Sequence, residues 1–343
     1  MRSERIESEE QLELVLSEPS EELVGLLRKI EGDIMILGIG GKIGPSLGRT
    51  AVRAVERSGR GRSVFGVSRF SDSDAKRKIQ DAGIEAIECD LLDETLVGDL
   101  PKARNIIFMA GRKFGTTGNE DTTWALNVLV PAHVARAFPK SRIVVFSTGC
   151  VYPLVEPWGG GCRESDSTEP VGEYASSCLG RERVFEYYGR QNGTESAILR
   201  LNYAIDLRYG VLYDIASRVW KGERIPLSVP YVNVIWQGDV NNLALRALSV
   251  CSHPPLVLNI TGPQVLSVRT VAKSFGELFG KEPLFEATGS DHSLLSDASK
   301  VAKLLPFSPV SVDQMIEWTA AWIKAGRRSL GKPTHFESSD GRF

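Results

Sequence analysis

The chain has 343 residues, enough to bury a large core and to carry two lobes. Its 41 basic and 43 acidic side chains are interspersed and sum to a net charge of −2, which excludes the basic footprint of a nucleic-acid binder and a basic membrane-binding face. No apolar run is long enough to span a bilayer, and the start Met1-Arg2-Ser3-Glu4-Arg5 has no apolar signal core, so a cytoplasmic protein is expected.

Residues 1–32 read as a helical extension. Leu23, Leu26, Leu27 and Ile30 form a helical stripe after Ser20-Glu21-Glu22 and predict a helix packed outside the first lobe. Ile34-Met35-Ile36-Leu37 then reads as a buried strand. A glycine-rich turn follows, Gly38-Ile39-Gly40-Gly41-Lys42-Ile43-Gly44, and then a helix with Ile43, Leu47, Ala51 and Val55 on one face. Strand, glycine turn and helix in that order are the context a dinucleotide fingerprint requires. Glycine permits the tight turn and close approach of backbone to a pyrophosphate. The helix start offers N–H groups and a positive dipole end to the phosphates. Gly38, Gly40, Gly41, Lys42, Ile43 and Gly44 are therefore candidate cofactor residues.

A second strand, Val64-Phe65-Gly66-Val67, ends in Ser68-Arg69. An acidic residue at this strand end favours a free ribose 2′-hydroxyl, and an arginine accommodates a 2′-phosphate. Ser68 and Arg69 thus lean toward NADP over NAD; the alternative leaves Arg69 solvated and gives the ribose to Asp72 or Asp74. A third strand ends at Glu88-Cys89-Asp90-Leu91, where Asp90 and Leu91 would meet the adenine. Asn105-Ile106-Ile107-Phe108 is a fourth, nearly all apolar strand, as one covered on both faces should be. Met109, Ala110 and Gly111 at its end would let a cofactor lie close. A helix is predicted over 122–137, carrying Asn127, followed by a fifth strand at Arg142–Phe146. Strands alternating with helices predict an α/β fold, a doubly wound parallel sheet of the Rossmann type.

The fifth strand runs into Ser147-Thr148-Gly149-Cys150-Val151-Tyr152. Tyr174-Ala175-Ser176-Ser177-Cys178 follows about twenty residues on. With the glycine turn, these motifs resemble the extended short-chain dehydrogenase/reductase family, the branch of NAD-dependent sugar epimerases and dehydratases, over roughly residues 33–325. The resemblance implies that Thr148 hydrogen-bonds the reacting oxygen. It implies that Tyr174 shuttles the proton as hydride moves to or from nicotinamide, and that Asn127 holds the region together. Arg200-Leu201-Asn202-Tyr203 and the segment Asn233–Val240 resemble two later family motifs. Dimerisation through the helices around strands four and five, giving a homodimer, is implied by the same resemblance.

The family's Tyr-x-x-x-Lys departs here, because position i+4 from Tyr174 is Cys178. Residues at i and i+4 share a helix face. The family's ammonium lowers the tyrosine pKa and grips the nicotinamide ribose; a phenol with a reference pKa of about 10 is a poor base at neutrality without such help. Four readings stay open. Another cation substitutes: Arg181, two turns on and about 10 Å along the axis, or Lys113 in the loop after strand four. Tyr174 works at higher pH. The site binds NADP(H) and signals without turnover. Or Cys178 itself takes part, as a nucleophile or as an inert buried thiol.

Downstream, a helix is predicted near Tyr213–Lys221, a strand at Leu256–Ile260, a helix opened by Ser267 with Val268, Val271, Ala272, Phe275 and Leu278 inward, and another over 312–325 whose Trp318 and Trp322 read as core. The expected organisation is a Rossmann domain over 33–202, with 231–262 returning to it. A smaller C-terminal α/β substrate lobe would comprise 203–230 and 263–328, and a polar, loose tail 329–343. The substrate pocket is expected to draw on Lys113, Tyr152, Arg181, Tyr203, Asn233, Trp236 and Gln237; aromatics and amides suit a polyhydroxylated ligand. No cation stands at Leu227–Tyr231, where nucleotide-sugar enzymes of the family place an arginine, which leaves Arg208 as the candidate for a diphosphate. A free sugar, a sugar acid or another hydroxy/oxo compound stays open. His133, His253, His292 and His335 lack metal-ligand spacing, so no metal is expected, and five scattered cysteines suit a reducing compartment. The expected activity is that of an NAD(P)-dependent oxidoreductase or epimerase on a sugar-like compound, with a catalytically weak NADP(H) sensor as the alternative.

Overall fold

The structure is a computed structural model that describes residues 5–288, 291–338 and 341. Seven parallel strands form one sheet: β1 (Ile34–Leu37), β2 (Val64–Ser68), β3 (Glu85–Glu88), β4 (Asn105–Phe108), β5 (Arg142–Thr148), β6 (Ser196–Leu201) and β7 (Leu256–Ile260). Their order is β7-β6-β5-β4-β1-β2-β3. This is the doubly wound arrangement read from the sequence. Its chain order reverses between β1 and β4, which opens a crevice at the carboxyl ends of those strands.

The strands are apolar because both faces are covered. Every residue of β1 and β4 is buried. Alternation sorts them: Ile34, Ile36 and Ile107 join Leu47, Ala51 and Leu243 on one face, and Met35, Leu37, Ile106 and Phe108 join Val130, Val134 and Phe185 on the other. β1 and β4 run in register from Ile34 opposite Asn105 to Leu37 opposite Phe108, so both strands end level at the crevice. The helix Glu21–Leu27 packs Leu23, Val24 and Leu27 on the first core, as its stripe predicts.

A second core joins the helices Val211–Lys221, Val268–Phe279 and Val312–Lys324. Trp318 and Trp322 are buried in it, as expected. Three two-stranded pairs lace this part together: Ala204–Ile205 with Ile235–Trp236, Tyr231–Val232 with Leu266–Ser267, and Arg224–Leu227 with Leu284–Thr288. Among the described residues, no helix is long and apolar enough to cross a membrane.

Three segments differ from the expectation. A helix at Glu9–Leu16 precedes the one foreseen; it is short and glutamate-rich, and only Leu12 and Leu16 are buried. The helix expected over 122–137 starts at Glu120 and is broken by one π turn, Ala125–Leu129, that contains Asn127. Such turns often mark functional sites. Residues 330–338 of the tail, expected to be loose, are docked. Leu330 N–H donates to the Arg208 carbonyl, and Thr334 N–H and Oγ1–H donate to Asp214 at 2.8 and 2.5 Å. Phe336 is 2% exposed in the second core, and Ser228 donates to the Glu337 carbonyl. One apolar side chain in a polar stretch supplies the anchor.

Candidate active site

The glycine turn is shaped by close backbone packing. Gly38 has φ +93°, and a Cβ there would lie 2.6 Å from the Ala110 Cα. The ends of β1 and β4 therefore touch where only glycine fits. A Cβ on Gly44 would fall on the Ile39 carbonyl, so the helix Gly44–Ser58 begins directly on the turn. No side chain caps that helix, and its first turn carries Pro45. A Cβ on Gly40 would lie 2.6 Å from Ser68 Oγ, which brings the end of β2 against the turn. Gly38, Gly40, Gly41, Lys42, Ile43, Gly44, Ser68, Met109, Ala110 and Gly111 thus border one crevice. Asp90 turns its carboxylate onto the Leu92 N–H, next to Leu91, and Arg69 is exposed at the end of β2. This tight cradle under an uncapped helix start fits the pyrophosphate of a dinucleotide.

Thr148 ends β5, and Tyr174 lies in the first turn of the helix Gly172–Asn192. The Thr148 hydroxyl is close enough to the Tyr174 phenol to favour its ionised form, and it accepts from the Cys150 N–H at 3.2 Å. The Cys178 thiol, one turn on, lies beside Tyr174. Burial pushes the Tyr174 phenol well above the usual tyrosine value. The thiols of Cys178 and Cys150 add to that, while Arg181 and Thr148 pull the other way. Burial also raises the Cys178 thiol to about 11. A thiol raised that far is a poor nucleophile at neutral pH, which favours the inert buried thiol of the two readings left open.

Both cations that the sequence offered in place of the missing lysine flank Tyr174. Lys113 Nζ lies 5.7 Å from the centroid of its ring. Arg181 is 6% exposed; its guanidinium donates to the Phe146 carbonyl and to Asn127 Oδ1, both at 2.7 Å. A Cβ on Gly111 would strike that guanidinium, so Arg181 lies directly under the end of β4. It lies beneath the crevice and, contrary to the expectation, is not among the residues lining the pocket of Lys113, Tyr152 and Tyr203. Asn127 does hold the region together. Its Oδ1 also accepts from Arg112 N–H, and its amide donates to the Arg112 carbonyl and to Ser177 Oγ.

A pocket opens beside these groups. Lys113, Cys150, Tyr152 and Tyr203 line one side, and Thr334, His335 and Phe336 of the tail line the other. Tyr203 adopts φ +43°, a costly backbone for a bulky residue, at the pocket wall. Other expected pocket residues serve the frame instead. Arg208 is spent on Asp206, at 2.6 Å, and Glu13, at 2.7 Å, so it is not a diphosphate site. Asn233 joins Asn202 to the Ser296 carbonyl, Gln237 donates to Ser46 Oγ, and Trp236 packs on Trp318. Their polar or aromatic character is used in burial, which sequence pattern alone could not separate from ligand contact. Among the described residues, no cluster of three or more His, Cys, Asp or Glu side chains is placed to hold a metal.

Two features escaped the sequence reading. Under the site, Glu182 and Arg200 form a buried ion pair at 2.7 Å that also takes in Ser147 and Tyr152. The tail closes the pocket, and its signal was Phe336 alone. Deleting the chain from Thr334 onward is expected to raise the substrate KM about tenfold or more and to change dinucleotide affinity less than about threefold. Steady-state kinetics beside a cofactor titration checks this.

A family model for the NAD dependent epimerase/dehydratase family matches residues 34–205. No curated protein matches the chain in sequence. Among solved structures, the chain is similar to UDP-glucose 4-epimerase from Thermotoga maritima, with 19% identity, TM-score 0.69, and 86% of this chain and 99% of that one covered. It is also similar to UDP-glucose 4-epimerase from Thermus thermophilus in complex with NAD, with 20% identity, TM-score 0.66 and coverage of 85% and 99%. UDP-glucuronic acid 4-epimerase from Bacillus cereus in complex with NAD gives 19%, 0.68, and 85% and 96%. These likenesses are likenesses of fold, and they span nearly the whole of each solved chain. With the matched segment running from β1 through the glycine turn, Thr148 and Tyr174 to the end of β6, the chain belongs to the NAD dependent epimerase/dehydratase family, within the extended short-chain dehydrogenases/reductases.

Proposed function

We propose that this chain is an NAD(P)-dependent oxidoreductase or epimerase acting on a sugar-like hydroxy/oxo compound. The observation that carries the reading is the approach of Thr148, at the end of β5, to Tyr174, in the first turn of the helix Gly172–Asn192, beside the crevice that fits a dinucleotide. A bound nicotinamide would supply the hydride acceptor or donor. Thr148 fixes the substrate oxygen, and Tyr174 takes or gives its proton. Lys113, above the Tyr174 ring, supplies positive charge that the i+4 position lacks. Thr334, His335 and Phe336 at the pocket wall would keep water from the reacting carbon. Exposed Arg69 at the end of β2 supports NADP over NAD. Trp124, Leu129 and Tyr187, exposed on the helices beside β4 and β5, support a homodimer.

The cofactor-binding sensor is the second reading, and the depth of Tyr174 beside a neutral thiol favours it. Cys178→Lys separates the two. In an enzyme the native protein turns over, and the added ammonium shifts the alkaline limb of its pH–rate profile toward neutrality. If Cys178→Lys creates a turnover that the native protein lacks, the native chain is no enzyme. The nucleotide released from purified protein, identified by mass, and a sugar panel scored by nicotinamide absorbance supply the assay.

A further inference from the structure

Lys42 is the oddest charged group in the molecule. It belongs to the glycine turn, yet its side chain leaves the turn toward the second lobe. Its Nζ lies 3.4 Å from the centroid of the Tyr209 ring and 4.2 Å from that of Phe114. The Nζ is buried and has no hydrogen-bond partner among the described residues. An unmet ammonium between two rings is costly unless something else completes it. The charges acting on it come from three further elements. Lys113, in the loop after β4, and Lys332, in the tail, oppose its charge, and Asp214, on the helix Val211–Lys221, favours it. Asp214 is itself occupied by the N–H and hydroxyl of Thr334. Burial first, and Lys113 next, bring the Lys42 pKa from 10.5 to about 7.

The direction of the side chain decides which anion is missing. Its ring and charge neighbours are Phe114, Lys113, Tyr209, Asp214 and Lys332, and none belongs to the ends of β2 or β3, where the adenosine half of a dinucleotide would lie. Backbone N–H groups of the turn would meet a dinucleotide, which leaves the Lys42 side chain for the substrate. We propose that Lys42, backed by Lys113, receives an anionic substituent of the substrate, a carboxylate or a phosphate carried on the sugar-like ligand. This deepens the function proposed above and rests on it. The aromatic walls Phe114 and Tyr209 remove water from the ammonium, so an anion there is held by a desolvated cation, and a neutral sugar would leave that cation unmet. Arg208, tied to Asp206 and Glu13, leaves this lysine pair to serve the anion.

The test is binding by calorimetry to the dinucleotide-loaded protein, with D-glucose, D-glucuronate and D-glucose 6-phosphate as probes. Native protein is expected to bind one of the two anions about 10- to 100-fold more tightly than glucose, and which of them is preferred identifies the substituent. Lys42→Met should erase that preference and leave dinucleotide affinity within about threefold, since the backbone N–H groups stay; Lys42→Arg should restore most of it. Binding of the anion at pH 8 should draw in a proton, seen as a dependence of the heat on buffer ionisation enthalpy, because Lys42 is largely neutral there when free. Equal binding of glucose and both anions overturns the proposal. So does a tenfold loss of dinucleotide affinity in Lys42→Met with sugar discrimination intact, which would assign the lysine to the cofactor. Failure of the native protein to bind any dinucleotide is a different result: it removes the proposed function itself.

Discussion

Replacing Glu182 with alanine is expected to destabilise the protein by about 3–5 kcal/mol, the cost of stranding one member of a buried ion pair. The Glu182 side chain is fully buried, and that of Arg200 is 5% exposed. Arg200 grips both carboxylate oxygens, with Nη2 at 2.7 Å and Nε at 3.0 and 3.3 Å. Ser147 Oγ–H donates to the same carboxylate at 2.5 Å. Arg200 Nη1 donates to Tyr152 Oη, which in turn donates to Asn259. Alanine would leave the guanidinium in the interior with only that phenol. Chemical denaturation followed by fluorescence reads the change as a lower midpoint with unchanged slope. The double variant Glu182→Leu/Arg200→Met should recover a large part of the loss, because an apolar pair avoids the unpaired charge. The network links β5, β6, β7 and the helix of Tyr174, so the single variant should also disturb the spacing of Thr148 and Tyr174.

Tyr174→Phe is expected to cut kcat by about 10²- to 10⁴-fold, the range for removing a positioned proton-transfer group. Cofactor affinity should hold, since the glycine turn is untouched. The sign of the pH dependence follows from the burial of the phenol. Its pKa lies well above the ordinary tyrosine value, so at neutral pH it is almost entirely protonated. If the phenolate is the working base, native activity climbs with pH through the neutral and mildly alkaline range, and the phenylalanine variant loses that slope along with the rate. A variant that keeps the slope would assign the titration to another group, Lys42 first. Stopped-flow measurement of nicotinamide reduction between pH 6 and 10 supplies the comparison.

The sheet was legible because buried parallel strands announce themselves as apolar runs. β1, β4 and β5 needed nothing more than Ile34–Leu37, Asn105–Phe108 and Arg142–Phe146. The glycine turn was legible because its residues have backbone reasons: Gly38 touches Ala110 and Gly44 sits on Ile39. Thr148 and Tyr174 were picked out by motif, and the structure brings them close to each other. The substrate side was less so, for a physical reason. Asn233, Gln237 and Arg208 are polar residues that fasten one part of the chain to another, and a fastening amide has the same letter as a ligand-binding one. Lys42 was placed correctly in the turn, but nothing in its spacing told that the side chain would cross toward Tyr209. The tail misled because its composition is polar, while a single buried ring, Phe336, and one carboxylate, Asp214, suffice to dock it.

The docking of residues 330–338 has a consequence for how such a pocket diversifies. Gly341 packs against Val171 and Gly172, next to the turn that presents Tyr174, yet the segment takes no part in the parallel sheet. A new residue at His335 or Ser338 would redraw the ligand's surroundings and leave every load-bearing strand as it was.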